Sequence, residues 1–252
     1  MAKKSEFKIP AIVFIRCIVF LFILWLLFWM YSQLRDFLNN APIFNVKNVE
    51  VEQSIKFIDD RPLKALKGQN ILSIDLKRIH EQIANRYPQI SQLRIIRQFP
   101  DTIMVLAKKR DILFQVQVRK KYLVVDTQGV TMFYSASPLA CPLVLGVPLE
   151  KKRIVMGTVS TSKELNTVVD LFEQFKIHPH TSRLKVLTVQ AENLSKIELM
   201  VMPNIQIIID QEDLPAKVDR LEVLFKNGKV NWSLVKYIDV RFKEPIINET
   251  GP

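Results

Sequence analysis

Three histidines, two cysteines and a scatter of serines are the side chains of this 252-residue chain that could support nucleophilic chemistry or hold a metal ion. His178 and His180 flank Pro179 and supply two ligand nitrogens, but no cysteine or spaced acidic pair lies nearby to complete a tetrahedral set, so they read as a loop. His80, beside Glu81, falls on the exposed surface of a predicted helix. Ser135, Ser137 and Ser160 lie in turn-like stretches with no evident base. The six glycines are too few and too dispersed for a phosphate-cradling loop or a nucleophile elbow. The expectation is a chain that is not an enzyme, with no catalytic residues, no cofactor and no metal.

The elements that position these residues begin with a long apolar run. Ala11 to Tyr31 is almost wholly apolar, with Arg16 its one charge. Twenty-one helical residues at about 1.5 Å each reach about 31 Å, enough to cross a hydrocarbon core. Arg16 lies near the end, where its side chain can snorkel to the headgroups. Lys3, Lys4, Lys8 and Arg16 on the N-terminal side, against Arg35 beside Asp36 on the other, predict a cytoplasmic N-terminus and an exported body. The run ends in Trp29, Met30 and Tyr31, not in the small residues of a processing site, so the reading is an uncleaved anchor.

Cys17 lies in the predicted span and Cys141 is alone in the body, so no disulfide is expected there. Export makes nucleic acid the wrong partner. Of the net charge of +11, residues 1–36 account for +3 and the body for +8, with both signs interspersed as on solvated outer faces. With 48% of the whole chain apolar, and much of that beyond the span, the body is expected to have a core of its own.

After a polar connection at 32–42, Phe44, Val46, Val49 and Val51 predict a first strand. Asp60 and Pro62 open a short helix that Gly68 closes, and Asp75 caps a second carrying Leu76, Ile79, Ile83 and Tyr87 on one face before Pro88. Strands Ile90 to Phe99 and Ile103 to Lys109 follow, joined through Pro100 and Asp101. The order strand, helix, helix, strand, strand is a small α+β unit and resembles a POTRA domain. Pro88, Ile90, Leu93, Ile95, Arg97, Pro100, Ile103, Val105 and Arg110 match the signature of the POTRA module in the bacterial division family FtsQ/DivIB.

Beyond Arg110, strands are predicted at Ile112 to Val118, Tyr122 to Asp126 and Val130 to Tyr134. Tyr122 to Val130 and Pro142 to Gly146 resemble the opening motifs of that family's second domain. Thr161 and Glu164 form a capping box for a helix carrying Leu165, Val168, Val169, Phe172 and Phe175. Three strands follow (Leu184 to Val189, Lys196 to Met202, Ile205 to Asp210), then a helix over Leu214 to Phe225 ended by Asn227 and Gly228, and a strand over Tyr237 to Phe242. That last strand matches the family's C-terminal aromatic, apolar, aspartate, apolar, arginine, aromatic motif. Gln89, Lys109 and Asp210 depart from residues common in the family.

The predicted fold class is therefore α+β: a single N-terminal transmembrane helix, a POTRA domain, then a mixed β-sheet domain with flanking helices. The expected divisions are a cytoplasmic tail at 1–10, the span at 11–31, the linker at 32–42, POTRA at 43–110, the β domain at 111–247 and a tail at 248–252. With little chain after Ile247, the strand from Tyr237 is expected at a sheet edge, open to a strand from another protein. The resemblance implies a bitopic scaffold of the septal cell-wall machinery. It would stand in the plasma (inner) membrane at the septum, with its domains extracytoplasmic, near septal peptidoglycan synthesis proteins. It would bind the coiled-coil proteins FtsB/DivIC and FtsL through this strand and the helix before it. The implied partner residues are Lys217, Tyr237, Arg241, Phe242 and Glu244. The competing reading is a POTRA component of secretion or outer-membrane assembly, which predicts repeated POTRA units or a run of membrane strands.

Overall fold

The computed structural model describes residues 11–52, 59, 61–149, 154–227, 232 and 234–248. The flanking Lys3, Lys4 and Lys8, the helix start at Asp60, Gly228 and residues 249–252 lie outside the described residues. The chain divides into two compact units: one is the chain up to His80 with Leu93–Ala107, the other Glu81–Gln92 with the chain from Lys108 onward.

Helix α1 (Ala11–Asn40) opens the first unit, and its window Ile15–Asn40 is long and apolar enough to cross a membrane, with none of it buried in the protein. It runs past Tyr31, so residues 32–40 continue the helix and do not form an irregular connection. Pro42 stops it, because the residue before a proline is driven to extended backbone, and Ala41 is extended at φ −68°, ψ 120°. Strand β1 (Asn48–Val51), the single turn α2 (Arg61–Lys64), α3 (Leu76–Arg86), β2 (Ile90–Gln98) and β3 (Thr102–Lys109) come next. They give a sheet of order β1-β3-β2 with β1 parallel to β3. Ile103, Val105 and Ala107 alternate into the core as their spacing predicts.

Local caps hold the loops of this unit. Asp75 accepts from the Arg78 N–H at 3.1 Å and so caps α3. Arg97 donates from Nε to the Ile71 carbonyl at 2.8 Å and from its terminal nitrogen to the Ile74 carbonyl at 2.6 Å, fixing the approach to that helix.

The second unit is built on β4 (Ile112–Val118), β5 (Lys121–Asp126), β6 (Thr131–Ser135), β7 (Leu143–Leu145), α4 (Lys163–Ile177), β8 (Val186–Gln190), β9 (Ile197–Val201), β10 (Ile205–Ile209), α5 (Leu214–Lys226), β11 (Tyr237–Asp239) and β12 (Ile246–Asn248). Its nine-stranded sheet has the order β12-β11-β10-β9-β8-β7-β4-β5-β6. The register draws one line of side chains across every strand: Tyr134, Leu123, Val116, Val144, Val189, Leu199, Ile207, Ile238 and Ile247. The middle seven are fully buried, while the two ends, Tyr134 and Ile247, are 39% and 36% exposed.

Leu165, Val168, Leu171, Phe172 and Phe175 of α4 and Val218 and Leu221 of α5 complete the core around this line. Helix α4 starts differently from the predicted capping box. Ser162 is its N-cap, and the Ser162 hydroxyl goes to the Glu164 carboxylate and not to a backbone N–H. Buried Gln115 is satisfied by the 139–141 loop, donating to the Leu139 carbonyl and accepting from the Leu139 N–H. Within the same unit, Arg110 pairs with Asp126 at 2.7 Å and donates to the Pro88 carbonyl at 3.0 Å.

Replacing Arg97 by alanine leaves two carbonyls without their charged donor and is expected to cost about 2 kcal/mol of stability. Urea unfolding checks this, and an unchanged midpoint would show that the loop holds itself.

Candidate functional site

The strand predicted as the open edge is not one. β11 covers only Tyr237–Asp239, with β10 parallel on one side and β12 antiparallel on the other. The strand ends at Asp239, and the Arg241 side chain folds back onto that residue. Its Nε lies 3.0 Å from Oδ1 and its terminal nitrogen 2.7 Å from Oδ2, and its own N–H also reaches Oδ1. Residues 241–244 then bend, and the chain returns as β12. The terminal position in the sheet belongs to Ile246–Asn248.

The two ends of the sheet are finished differently. Along β6, the 155–160 segment lies against the outer side: the Thr131 N–H reaches the Thr158 carbonyl, the Gly157 N–H reaches the Thr131 carbonyl, and Val130 bridges Val159. Beyond β12, no strand follows among the described residues. Ile246 and Ile247 are exposed there, with Phe242 on the preceding bend at 51% exposure.

The five expected partner residues have different roles in this frame. Tyr237 is half-buried in a row between Gln206 of β10 and Asn248 of β12. The Arg241 guanidinium stands 5.6 Å above the Phe242 ring. Phe242 and Glu244 are exposed. Lys217 needs correction as a contact residue. It is only 5% exposed, and its ammonium is taken by Asp210 and the Glu212 carbonyl, so it orders the entry to α5. Arg220, one turn further on, donates to the Val240 carbonyl at 3.2 Å and ties α5 to the end of β11.

Asp239 is 4% exposed. Burial pushes its pKa up, but the hydrogen bonds and charge of Arg241 outweigh burial and hold the carboxyl below the usual aspartate value of 3.8. The pair is thus a buried carboxylate with bidentate pairing, which is stronger than an exposed surface bridge.

His178 and His180 are also accounted for. His178 Nε2 lies 3.0 Å from Asp219, and His180 pairs through Nδ1 and its backbone N–H with Glu222, which also accepts from the Thr181 N–H. Asp219 and Glu222 sit three residues apart on α5, a spacing that could have flagged them as a clamp for the loop after α4. Among the described residues, no group of three or more His, Cys, Asp or Glu is placed to hold a metal ion. Ser135 and Ser160 hydroxyls bond within their own turns.

No family model matches the chain. Curated relatives do. It is 25% identical to the cell division protein DivIB of Clostridium tetani over 82% of this chain and 80% of that protein. It is 23% identical to DivIB of Clostridium acetobutylicum over 80% and 81%, and 23% identical to the cell division protein FtsQ of Syntrophotalea carbinolica over 81% and 73%. The likeness to FtsQ/DivIB carried by the motifs is therefore found along about four-fifths of the chain, and all three relatives are named as cell division proteins.

A carboxyl held below its usual value contributes stability that is complete above about pH 3.8 and is lost as the pH falls through the lowered folded value. Asp239→Asn is accordingly expected to unfold at lower urea than the parent at neutral pH, with the two converging as the pH drops below that range. Parallel titrations with urea from neutral to acid check this; a gap that persists in strong acid would mean that shape, not charge, is lost.

Proposed function

We propose that this chain is a single-span scaffold of the bacterial division machinery that captures a strand from a small coiled-coil partner of the FtsB/DivIC type, with FtsL alongside. Its N-terminus lies in the cytoplasm, α1 crosses the plasma membrane, and the domains that follow stand outside it at the septum, among septal peptidoglycan synthesis proteins. The POTRA domain corresponds to residues 43–110 and the partner-binding domain to 111–247. Its part in division is structural and not catalytic.

The observation that carries this reading is the terminal strand β12, left as the end of the nine-stranded sheet with Phe242, Ile246 and Ile247 exposed beside it. An incoming strand adds backbone hydrogen bonds, and alternate side chains choose the partner. A three-residue edge offers only two or three such bonds, about 1–4 kcal/mol net, which alone gives millimolar binding or weaker. Useful affinity must come from the side chains around the edge, and Phe242 is the most exposed large one on that bend. Tyr237, Arg241 and Glu244 flank it, while Lys217 and Arg220 hold α5 and the bend in place.

Tyr237→Ala with Phe242→Ala is expected to weaken capture of an FtsB/DivIC-type ectodomain at least about tenfold in a binding titration while the melting curve keeps its shape. Undiminished affinity would remove the site. Ile247→Pro, which takes a backbone donor from the terminal strand, is expected to weaken capture. In dividing cells a fluorescently tagged chain is expected as a mid-cell band, and uniform labelling of the envelope would speak against the division role.

A further inference from the structure

We propose that Phe37, Ile43 and Leu72 form a lipid-contacting lip that seats the first unit on the bilayer surface, with Asn70 as the clamp that holds it there. The inference rests on the reading of α1 as a membrane span. All the residues involved belong to the first unit.

Helix α1 does not hand over to a flexible tether. Asn70 Nδ2 donates to the carbonyls of Leu38 and Asn39, both at 2.8 Å, satisfying orphan acceptors of the last helical turn. Its Oδ1 accepts from the Leu72 N–H at 2.8 Å. The same loop is stitched to the residues after the helix: the Ile71 N–H reaches the Phe44 carbonyl, the Val46 N–H reaches the Gln69 carbonyl, and the Gly68 N–H reaches the Val46 carbonyl. Leu72 and Ile43 are thereby fixed in height relative to the end of α1.

That height can be placed from the sequence. Cys17 to Leu34 is free of charge and, at about 1.5 Å per residue, spans about 27 Å, close to a hydrocarbon core. From Arg35 to Asn40 the helix climbs about 9 Å more, against roughly 5–8 Å for one headgroup layer. The carbonyls that Asn70 binds therefore lie at the outer headgroup level, and the side chains clamped to them lie there too. Phe37, Ile43 and Leu72 are 65%, 56% and 37% exposed, which leaves apolar surface beside an interface that accepts it. Arg35 and Lys67, both exposed, add positive charge suited to anionic headgroups. Continuity with the span singles out lipid as the occupant.

The test uses the full chain with Cys17→Ser and Cys141→Ser, carrying an environment-sensitive dye on one introduced cysteine. The chain is reconstituted in vesicles of phosphatidylethanolamine and phosphatidylglycerol, with or without headgroup-spin-labelled lipid. Dyes at Ile43→Cys and Leu72→Cys are expected to be quenched at least about twice as strongly as one at Lys120→Cys. A dye at Leu24→Cys reports the span itself. If Leu24→Cys is lipid-embedded but Ile43→Cys and Leu72→Cys match Lys120→Cys, the lip is overturned and the anchor stands. If they are shielded from aqueous iodide yet unquenched by lipid, a protein or second copy covers them and the lip is again overturned. If Leu24→Cys is not embedded, the anchor reading fails and takes the lip with it. Asn70→Ala and Asn70→Asp, neither of which can donate to the two carbonyls, are expected to lower quenching at Leu72→Cys and leave Leu24→Cys unchanged. Full quenching in both variants would remove the clamp.

Discussion

The second unit depends on one line of apolar side chains that crosses all nine strands, from Tyr134 through Leu123, Val116, Val144, Val189, Leu199, Ile207 and Ile238 to Ile247. A register slip of one residue in any strand would turn its member of this line to the opposite face, so burial of the line sets the pairing everywhere at once. Strands β7, β11 and β12 have only three residues each. They are too short to hold a register by backbone bonds alone, and Val144 and Ile238 place β7 and β11 by joining the core that the helices complete. The same line explains why the sheet can end in an exposed isoleucine: the core continues to the edge, and the edge itself lacks the next row of side chains.

Much of this was legible in residue order, and the part that was not has identifiable causes. The alternation of Ile103, Val105 and Ala107, the Asp75 cap, the stripe of α4 and the strands β4 to β6 follow from period and turn chemistry. Strand β12 was not legible, because three residues after Pro245 carry no periodic signal. Its absence made Tyr237 to Phe242 look terminal. The edge position therefore moved by one strand, while the surrounding exposed residues Phe242 and Glu244 stayed at the surface. The inward turn of Lys217 was equally hidden, since nothing in helical spacing reveals that Asp210, seven residues earlier, waits at the strand end to receive it.

The basic excess reads as solvated surface, but several of its members work inside the fold at places where the backbone loses regular partners. Arg97 holds the Ile71 and Ile74 carbonyls, Arg110 the Pro88 carbonyl, Arg220 the Val240 carbonyl and Lys217 the Glu212 carbonyl. A loop that leaves a sheet or enters a helix exposes acceptors, and a long cationic side chain can reach them while its stem covers apolar surface. Arginine suits this role better than lysine where two acceptors diverge, as at Arg97, because its planar fork presents several donors in fixed directions. Two of the residues that match the FtsQ/DivIB motifs, Arg97 and Arg110, thus act as internal ties.

The two edges of the sheet bear on how such a protein avoids indiscriminate association. An open strand is a template for any extended chain. β6 is blunted by the 155–160 segment, whereas β12 is limited by brevity and by the charged bend that precedes it, where Asp239 and Arg241 neutralise each other and Glu244 remains exposed. A strand so short gives too few backbone bonds to capture a chance partner, so discrimination falls to the side chains lining it. The Arg241 fold-back lies on the bend between β11 and β12, with its guanidinium above the exposed Phe242 ring. The Asp239–Arg241 pair, with its carboxylate buried, therefore sits where the native strand ends and next to the terminal strand, so its stability and the shape of that end of the sheet are linked by position.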